Sequence, residues 1–261
     1  MMPWYEASFG CEYLELYAHR GIAEARANIG AITALISPPK TREIRRMTLS
    51  ATIFRDEPLL DLCCGAGRHL LALHELGFRR LVGLDLSAEL LAVAAASLAG
   101  AEDVALVQGD MRHLPYEGYF ATVLSLFTSF GYFDEDTENR AVLATVYRAL
   151  RAGGVFVLDY INRDHVISHL VPRDEKEIAG RRVRTVRHLT DDGRRVEKTT
   201  TVVTDTESTR QFFESVRLYS LAEMREMLLA EGFVNVRAYG SLAGSDFGRD
   251  SERLVLVAEK E

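Results

Sequence analysis

The sequence predicts an α/β protein built on a doubly wound, mostly parallel seven-stranded sheet, with an N-terminal helical lid and an inserted antiparallel β layer. Three observations predict it. From Pro58 to Asp159, short apolar runs of strand length alternate with helical patterns, as they do when crossover helices connect parallel strands. Between Arg181 and Tyr219 the period shortens to apolar-polar alternation, which reads as antiparallel strands. Before Pro58 the spacing is helical.

Each element follows in order. The preface holds helical spacing through Leu16, Tyr17 and Arg20 and an alanine-rich stretch to Leu35, until Ser37-Pro38-Pro39 stops it. The first strand, Leu59 to Leu62, runs into Gly65-Ala66-Gly67 and a helix from Arg68 to Leu76. The second, Arg80 to Asp85, leads to Ser87, a helix cap, and to an alanine- and leucine-rich helix that stops at Gly100. Strand three is Val104 to Val107, strand four Ala121 to Leu126, and a helix spans about Thr137 to Leu150. Gly153-Gly154 then introduces strand five, Val155 to Asp159. The alternating insert turns at Asp192-Gly193. Ser220 caps a further helix with Glu223 in capping-box position, and Phe233 to Tyr239 and Arg253 to Ala258 complete the main sheet. The boundaries expected are 1–57 for the helical segment, 58–164 with 218–261 for the main domain, and 165–217 for the β insert.

The composition narrows the class of function. With 261 residues, 48% hydrophobic and 26% charged, the chain buries a core without help, so a monomer or homodimer is expected. A net charge of −7 repels phosphate backbones and argues against a nucleic-acid partner. No run approaches the roughly 18 apolar residues of a membrane span, and the acidic start is unlike a secretory signal. Cys11, Cys63 and Cys64 show no metal-ligand spacing and read as reduced thiols, which together with these absences points to a cytoplasmic protein away from membranes. His69 and His74, or His165 and His169, lack a third ligand, so no metal is expected. No nucleophile elbow is present.

The chemistry concentrates in DLCCGAGRH, GLDLS and QGDM, each placed where a strand of the parallel sheet ends, outside which ligands bind in such sheets. Gly65 and Gly67 let the backbone turn tightly and approach a ligand, although a plain tight turn has the same residues. Asp85 lies twenty residues past Gly65, where an acid accepts from ribose hydroxyls. Asp110 is placed to accept from an adenine amino group while the Met111 N–H donates to the ring. A nicotinamide-binding loop offers the first two features but wants a third glycine where Leu70 stands, and leaves Asp110-Met111 unexplained.

From Pro58 to Asp159 these motifs, with LRAGGVFVLD, resemble the class I, seven-stranded methyltransferases that use S-adenosylmethionine. The β insert resembles that of small-molecule N-methyltransferases, such as those acting on glycine or amino sugars. The resemblance implies transfer of a methyl group to a small-molecule acceptor, nitrogen before oxygen or sulfur, leaving S-adenosylhomocysteine. It implies that Cys63, Gly65, Ala66 and Gly67 face the methionine part of the cofactor and that Asp61 anchors the loop or the amino group. Asp85 and Leu86 then lie at the ribose, Asp110 and Met111 at the adenine, and Leu126 and Phe127 beside adenine and sulfonium. In place of the Asp/Asn-Pro-Pro-aromatic signature of DNA and protein-amide methyltransferases stands LFTSFGYF, which disfavours a base or glutamine amide as acceptor. An NAD-linked oxidoreductase and a non-catalytic S-adenosylmethionine-binding protein remain the alternatives.

LFTSFGYF is the expected acceptor wall. Phe127, Phe130, Tyr132 and Phe133 offer faces to a cationic or apolar group, and Phe127 and Phe133 read equally as core beside the sheet edge. Ser129 and Tyr132 carry hydroxyls that need partners. Tyr132 is the expected residue for acceptor alignment or proton handling, and Asn162, Arg217 and Tyr219 are further acceptor-side candidates. Tyr13, Leu16, Tyr17 and Arg20 share a helical face that folds over the cofactor and pairs Arg20 with its carboxylate, or else Arg20 snorkels at the surface. Arg181, Arg182, Arg184 and Arg187 read as a solvated strand face rather than a site.

Overall fold

The computed structural model describes residues 3–17, 20–36, 55–178, 180–203 and 209–261, without the side chains of residues 11–13. Helices α1 (Trp4–Ala7), α2 (Cys11–Leu16) and α3 (Ile22–Ile36) precede the sheet. The main domain continues as β1 (Leu59–Leu62), α4 (Arg68–Glu75), β2 (Leu81–Asp85), α5 (Ala88–Ser97), β3 (Val104–Gln108), β4 (Phe120–Ser125), α6 (Asp136–Ala149), β5 (Leu150–Ile161) and α7 (Arg163–His169). The insert is β6 (Arg173–Ile178), β7 (Arg181–Leu189), β8 (Arg195–Val203) and β9 (Thr209–Arg217). The chain returns through α8 (Leu221–Ala230), β10 (Val234–Tyr239) and β11 (Arg253–Glu259).

The seven-stranded sheet has the order β10-β11-β5-β4-β1-β2-β3. The pairs around β1 and from β4 to β5 are parallel, and β11 lies antiparallel between β5 and β10. All of β1, β2 and β4 is buried, as continuous apolar runs require when both faces of a sheet are covered. Leu59 packs with Ile29, Leu73 and Ala94 of α3, α4 and α5, whereas Leu60 and Leu62 pack with residues of α6 and α8 on the other face. The caps read from the sequence form: Ser87 accepts from the Leu90 N–H, and Ser220 and Glu223 make the reciprocal box. Among the described residues no helix is long and apolar enough to cross a membrane, and no group of three His, Cys, Asp or Glu side chains converges to hold a metal ion.

Three elements depart from expectation. β5 begins at Leu150, with the glycine pair inside it, because Phe120 pairs with Leu150 and Thr122 with Val155, so the intervening residues bulge. The insert is four-stranded rather than a hairpin with appended alternation: the charged segment Arg173–Ile178 pairs with β7 as an edge strand. The helical face expected for Tyr13, Leu16, Tyr17 and Arg20 does not form. α2 ends at Leu16, whose side chain joins the insert's core of Val183, Val202 and Phe212, and Arg20 lies in the turn beyond. The expected helix stop at Ser37-Pro38-Pro39 lies outside the described residues.

Candidate functional site

A cavity of about 310 Å³ opens at the carboxyl ends of β1 to β4 and is roofed by Tyr5, Phe9, Leu14, Tyr17 and Arg20 of the N-terminal segment. Its floor is the loop after β1. Gly65 and Gly67 both take positive φ, 54° and 78°, which an L side chain resists. A Cβ on Gly65 would meet nothing closer than 4.0 Å, so the dihedral alone demands glycine there. On Gly67 it would lie 2.9 Å from the Ala94 Cβ, so that glycine also lets α4 and α5 approach.

Carboxylates and loops are tied together. Asp85, buried at the end of β2, accepts from the Gly65 N–H at 2.8 Å and the Ser87 N–H at 2.9 Å. Burial raises its pKa, against the pull of these N–H groups. Asp61 is 1% exposed, its Oδ2 has no hydrogen-bond partner, and burial, opposed by Arg68 and reinforced by Asp85, lifts its pKa to about 7. His69, also buried with Nε2 unpartnered, is driven down to about 3 by burial and Arg68, so its ring is neutral. Asp110 is gripped by Arg112, which donates from Nε at 3.1 and 3.0 Å and from its terminal nitrogen at 2.6 Å. Arg112 in turn lies 4.2 Å above the Phe133 ring.

The loop after β4 is held in an unusual backbone. Phe127 and Thr128 both have φ of 64°, a strained conformation for residues with side chains. The Phe127 N–H donates to Asp159 Oδ2 at 2.9 Å and the Thr128 N–H to the Asp159 carbonyl at 2.9 Å, while Arg253 bridges Asp159 Oδ1 and Thr128 Oγ1. Further on, Arg195 of β8 donates to the carbonyls of Gly131, Tyr132 and Phe133. Tyr132 is thereby presented to the cavity, its ring stacked on Phe9 at 5.6 Å and edge-on to Trp4 at 5.0 Å. Burial and the nearby Glu214 carboxylate push its phenol well above the ordinary value.

Of the residues proposed from sequence, Arg20, Asp61, Cys63, Gly65, Ala66, Asp85, Leu86, Asp110, Met111, Leu126, Phe127, Ser129 and Tyr132 line this cavity. Gly67 stands behind it. The side chain of Tyr13 lies outside the described residues. Four acceptor-side candidates are elsewhere. Phe130 is core, packed against Tyr160 and Tyr219. Asn162 is spent on the carbonyls of Gly248, Arg249 and Ser251. Arg217 pairs with Asp136 and Glu223, and Tyr219 donates to Asp136 at 2.6 Å. All four are buried: Phe130 packs in the core, Asn162 ties the end of β5 to the segment before β11, and Arg217 and Tyr219 secure the end of the insert to α6 and α8. Sequence reasoning missed Tyr5, Phe9, Leu14 and His69 as lining residues, and Arg112, Arg195 and Arg253 as supports. His69 follows the glycine loop directly and carried a legible signal; the arginines act across distant segments and carried none.

Residues 59–154 match the family described as "Methyltransferase domain". Over 101 residues, 39% of this chain and 41% of that protein, the chain is 38% identical to dTDP-3-amino-3,4,6-trideoxy-alpha-D-glucopyranose N,N-dimethyltransferase of Streptomyces venezuelae. The fold matches the crystal structure of Streptomyces venezuelae DesVI with a TM-score of 0.65 at 27% identity, covering 95% of this chain and 97% of that one. It matches SAM-bound CalS10, an amino pentose methyltransferase from Micromonospora echinaspora, with a TM-score of 0.65 at 26% identity, covering 95% and 96%. These likenesses decide between the two cofactor chemistries that the glycine loop allowed. The sheet order, the glycine loop and the acids at the carboxyl ends of the strands are those of the class I, S-adenosylmethionine-dependent methyltransferases, and residues 59–154 form a methyltransferase domain.

Proposed function

We propose that the protein methylates an amino group of a small molecule, an amino sugar being the class favoured, with S-adenosylmethionine held in the cavity under the N-terminal helices. The observation that carries the cofactor assignment is a set of orphaned polar atoms: Asp61 Oδ2, His69 Nε2 and Arg20 Nε are buried without partners, and all three residues line the cavity. A zwitterionic amino-acid end satisfies such a set, its ammonium meeting Asp61 and its carboxylate meeting Arg20. Asp85 retains acceptor capacity beyond its two backbone bonds for ribose hydroxyls. Asp110 would share its carboxylate between Arg112 and the adenine, leaving Met111 to pack against the ring.

When bound, S-adenosylmethionine supplies an electrophilic methyl on a sulfonium. The chain's own residues align and dry the reaction volume. Phe127, held in its left-handed conformation by Asp159, and Tyr132, stacked under Phe9, wall it against water. Because burial keeps the Tyr132 phenol protonated, its role is to position the acceptor through a hydrogen bond rather than to act as a base. The amine therefore has to arrive neutral or release its proton elsewhere. The substrate class rests on the likeness to DesVI and CalS10 over 95% of the chain and on the four-stranded insert beside the aromatic wall.

The test is calorimetric titration of wild type and Asp85→Ala with S-adenosylmethionine, followed by a panel of amino sugars, amino acids and phenols scored by S-adenosylhomocysteine release. Binding lost in Asp85→Ala, and turnover with amino sugars alone, is expected. Turnover confined to phenols or amino acids would overturn the substrate class.

A further inference from the structure

Lys198 of β8 and Glu214 of β9 stand opposite one another in the insert, Nζ 2.5 Å from the carboxylate, their side chains only 20% and 18% exposed. Neither lines the cavity. An exposed lysine pair of this kind would contribute little, but here the ammonium reaches a third element. It donates to the Tyr17 hydroxyl at 2.7 Å and lies 5.4 Å from that ring's centroid. Burial works against the charge on Lys198, and Glu214 and Tyr17 more than offset it, so the group stays an ammonium.

Tyr17 is the C-terminal cap of α2, and its carbonyl accepts from the Arg20 N–H at 2.9 Å. Its ring meets Phe127 edge-on with centroids 6.1 Å apart, and the Arg20 guanidinium lies 3.7 Å over that same Phe127 ring. A continuous line of contacts thus runs from Glu214 through Lys198 and Tyr17 to the two residues that face each other across the cavity roof. Arg195 and Arg217, on the same two strands, are spent instead on the loop after β4 and on α6 and α8.

We infer that Lys198 is a positioning residue for cofactor retention: by fixing Tyr17 it holds Arg20 against Phe127, so that the insert sheet sets how tightly the cavity keeps S-adenosylmethionine. The inference rests on the reading of the cavity as the S-adenosylmethionine site. It gives the insert a part in cofactor binding although none of its described residues lines the cavity.

S-Adenosylhomocysteine, which cannot react, is the probe. Its dissociation constant is measured by calorimetry for wild type, Tyr17→Phe, Lys198→Met, Lys198→Arg and the Tyr17→Phe/Lys198→Met double variant, with thermal melting of each. Each of the first two substitutions is expected to weaken binding about five- to twentyfold. The double variant is expected to bind no more weakly than the worse single one, because both break the same link. Lys198→Arg, which still reaches a carboxylate and a hydroxyl, is expected to recover most of the affinity. Tyr17→Phe removes one hydroxyl and leaves the ion pair intact, so its melting temperature should stay within about 2 °C of wild type, and it decides the matter if Lys198→Met does not fold. Wild-type affinity in Tyr17→Phe, or losses that multiply in the double variant, would overturn the inference. Failure of wild type itself to bind would remove the cavity reading and the inference with it.

Discussion

Asp61 shows how burial gives one side chain two consequences. Its folded pKa of about 7 lies above the ordinary 3.8, so the folded chain keeps a proton that the unfolded chain releases. Stability from this group is fully present below the unfolded value and is lost as pH rises through about 7, an effect bounded by about 4 kcal/mol. An ammonium ligand reverses the preference, because it binds the ionised carboxylate. Asp61→Asn should therefore gain stability over wild type as the pH is raised from 5 to 8 in urea titrations. Over the same range S-adenosylhomocysteine should bind wild type more tightly, by up to about tenfold per unit below pH 7, and the variant with no such slope. A parallel pH dependence in both proteins would place the titration elsewhere.

At the scale of elements, one arginine holds the loop after β4 to the insert. Arg195 reaches the carbonyls of Gly131, Tyr132 and Phe133 along with the Ser215 carbonyl and hydroxyl. Such a fork cannot be copied by a point charge on a flexible stem. Arg195→Met and Arg195→Lys should both lose about 3 kcal/mol in urea denaturation, since the Tyr132 carbonyl loses its charged donor while those of Gly131 and Phe133 keep only the Arg217 N–H and the Asn139 amide. Full stability in the lysine variant would mean that a single bond suffices. The basic run of β7 behaves otherwise: Arg181 pairs with Glu15, Arg182 and Arg184 with Glu175, and Arg187 with Asp174. These are largely exposed pairs on a strand face, each contributing at most about 1 kcal/mol.

Across the whole molecule, the two sheets are joined too thoroughly to melt apart. Arg217 and Tyr219 bind α6 and α8, Arg195 binds the acceptor loop, and Ser8 bonds both backbone groups of Phe213 on β9. The chain's single tryptophan, Trp4, sits at this junction, edge-on to Tyr132 and Phe213. Its fluorescence and the far-ultraviolet circular dichroism should lose their signals in one coincident thermal transition, raised by saturating S-adenosylhomocysteine. A tryptophan transition well below the dichroism midpoint would show the N-terminal segment to be a separately opening unit.

What the sequence determined by itself was whatever neighbouring residues dictate. The strand and helix periods from β1 to β4, the positive-φ glycines 65 and 67, the caps at Ser87 and Ser220, and the acids that end β2 and follow β3 are local demands of backbone geometry, and each is found where it was read. Tertiary structure decided which polar groups were left over for chemistry. Phe130, Asn162, Arg217 and Tyr219 looked like acceptor contacts, and distant segments claimed all four. Arg20 reaches the cavity from a turn rather than a helix face, and β6 joins β7 as an edge strand, with arginines of β7 paired to its acids. Period and dihedral preference act within a few residues, so a sequence displays them. The partner of a buried polar side chain depends on which remote segment folding brings within hydrogen-bond reach, and only the folded chain fixes that.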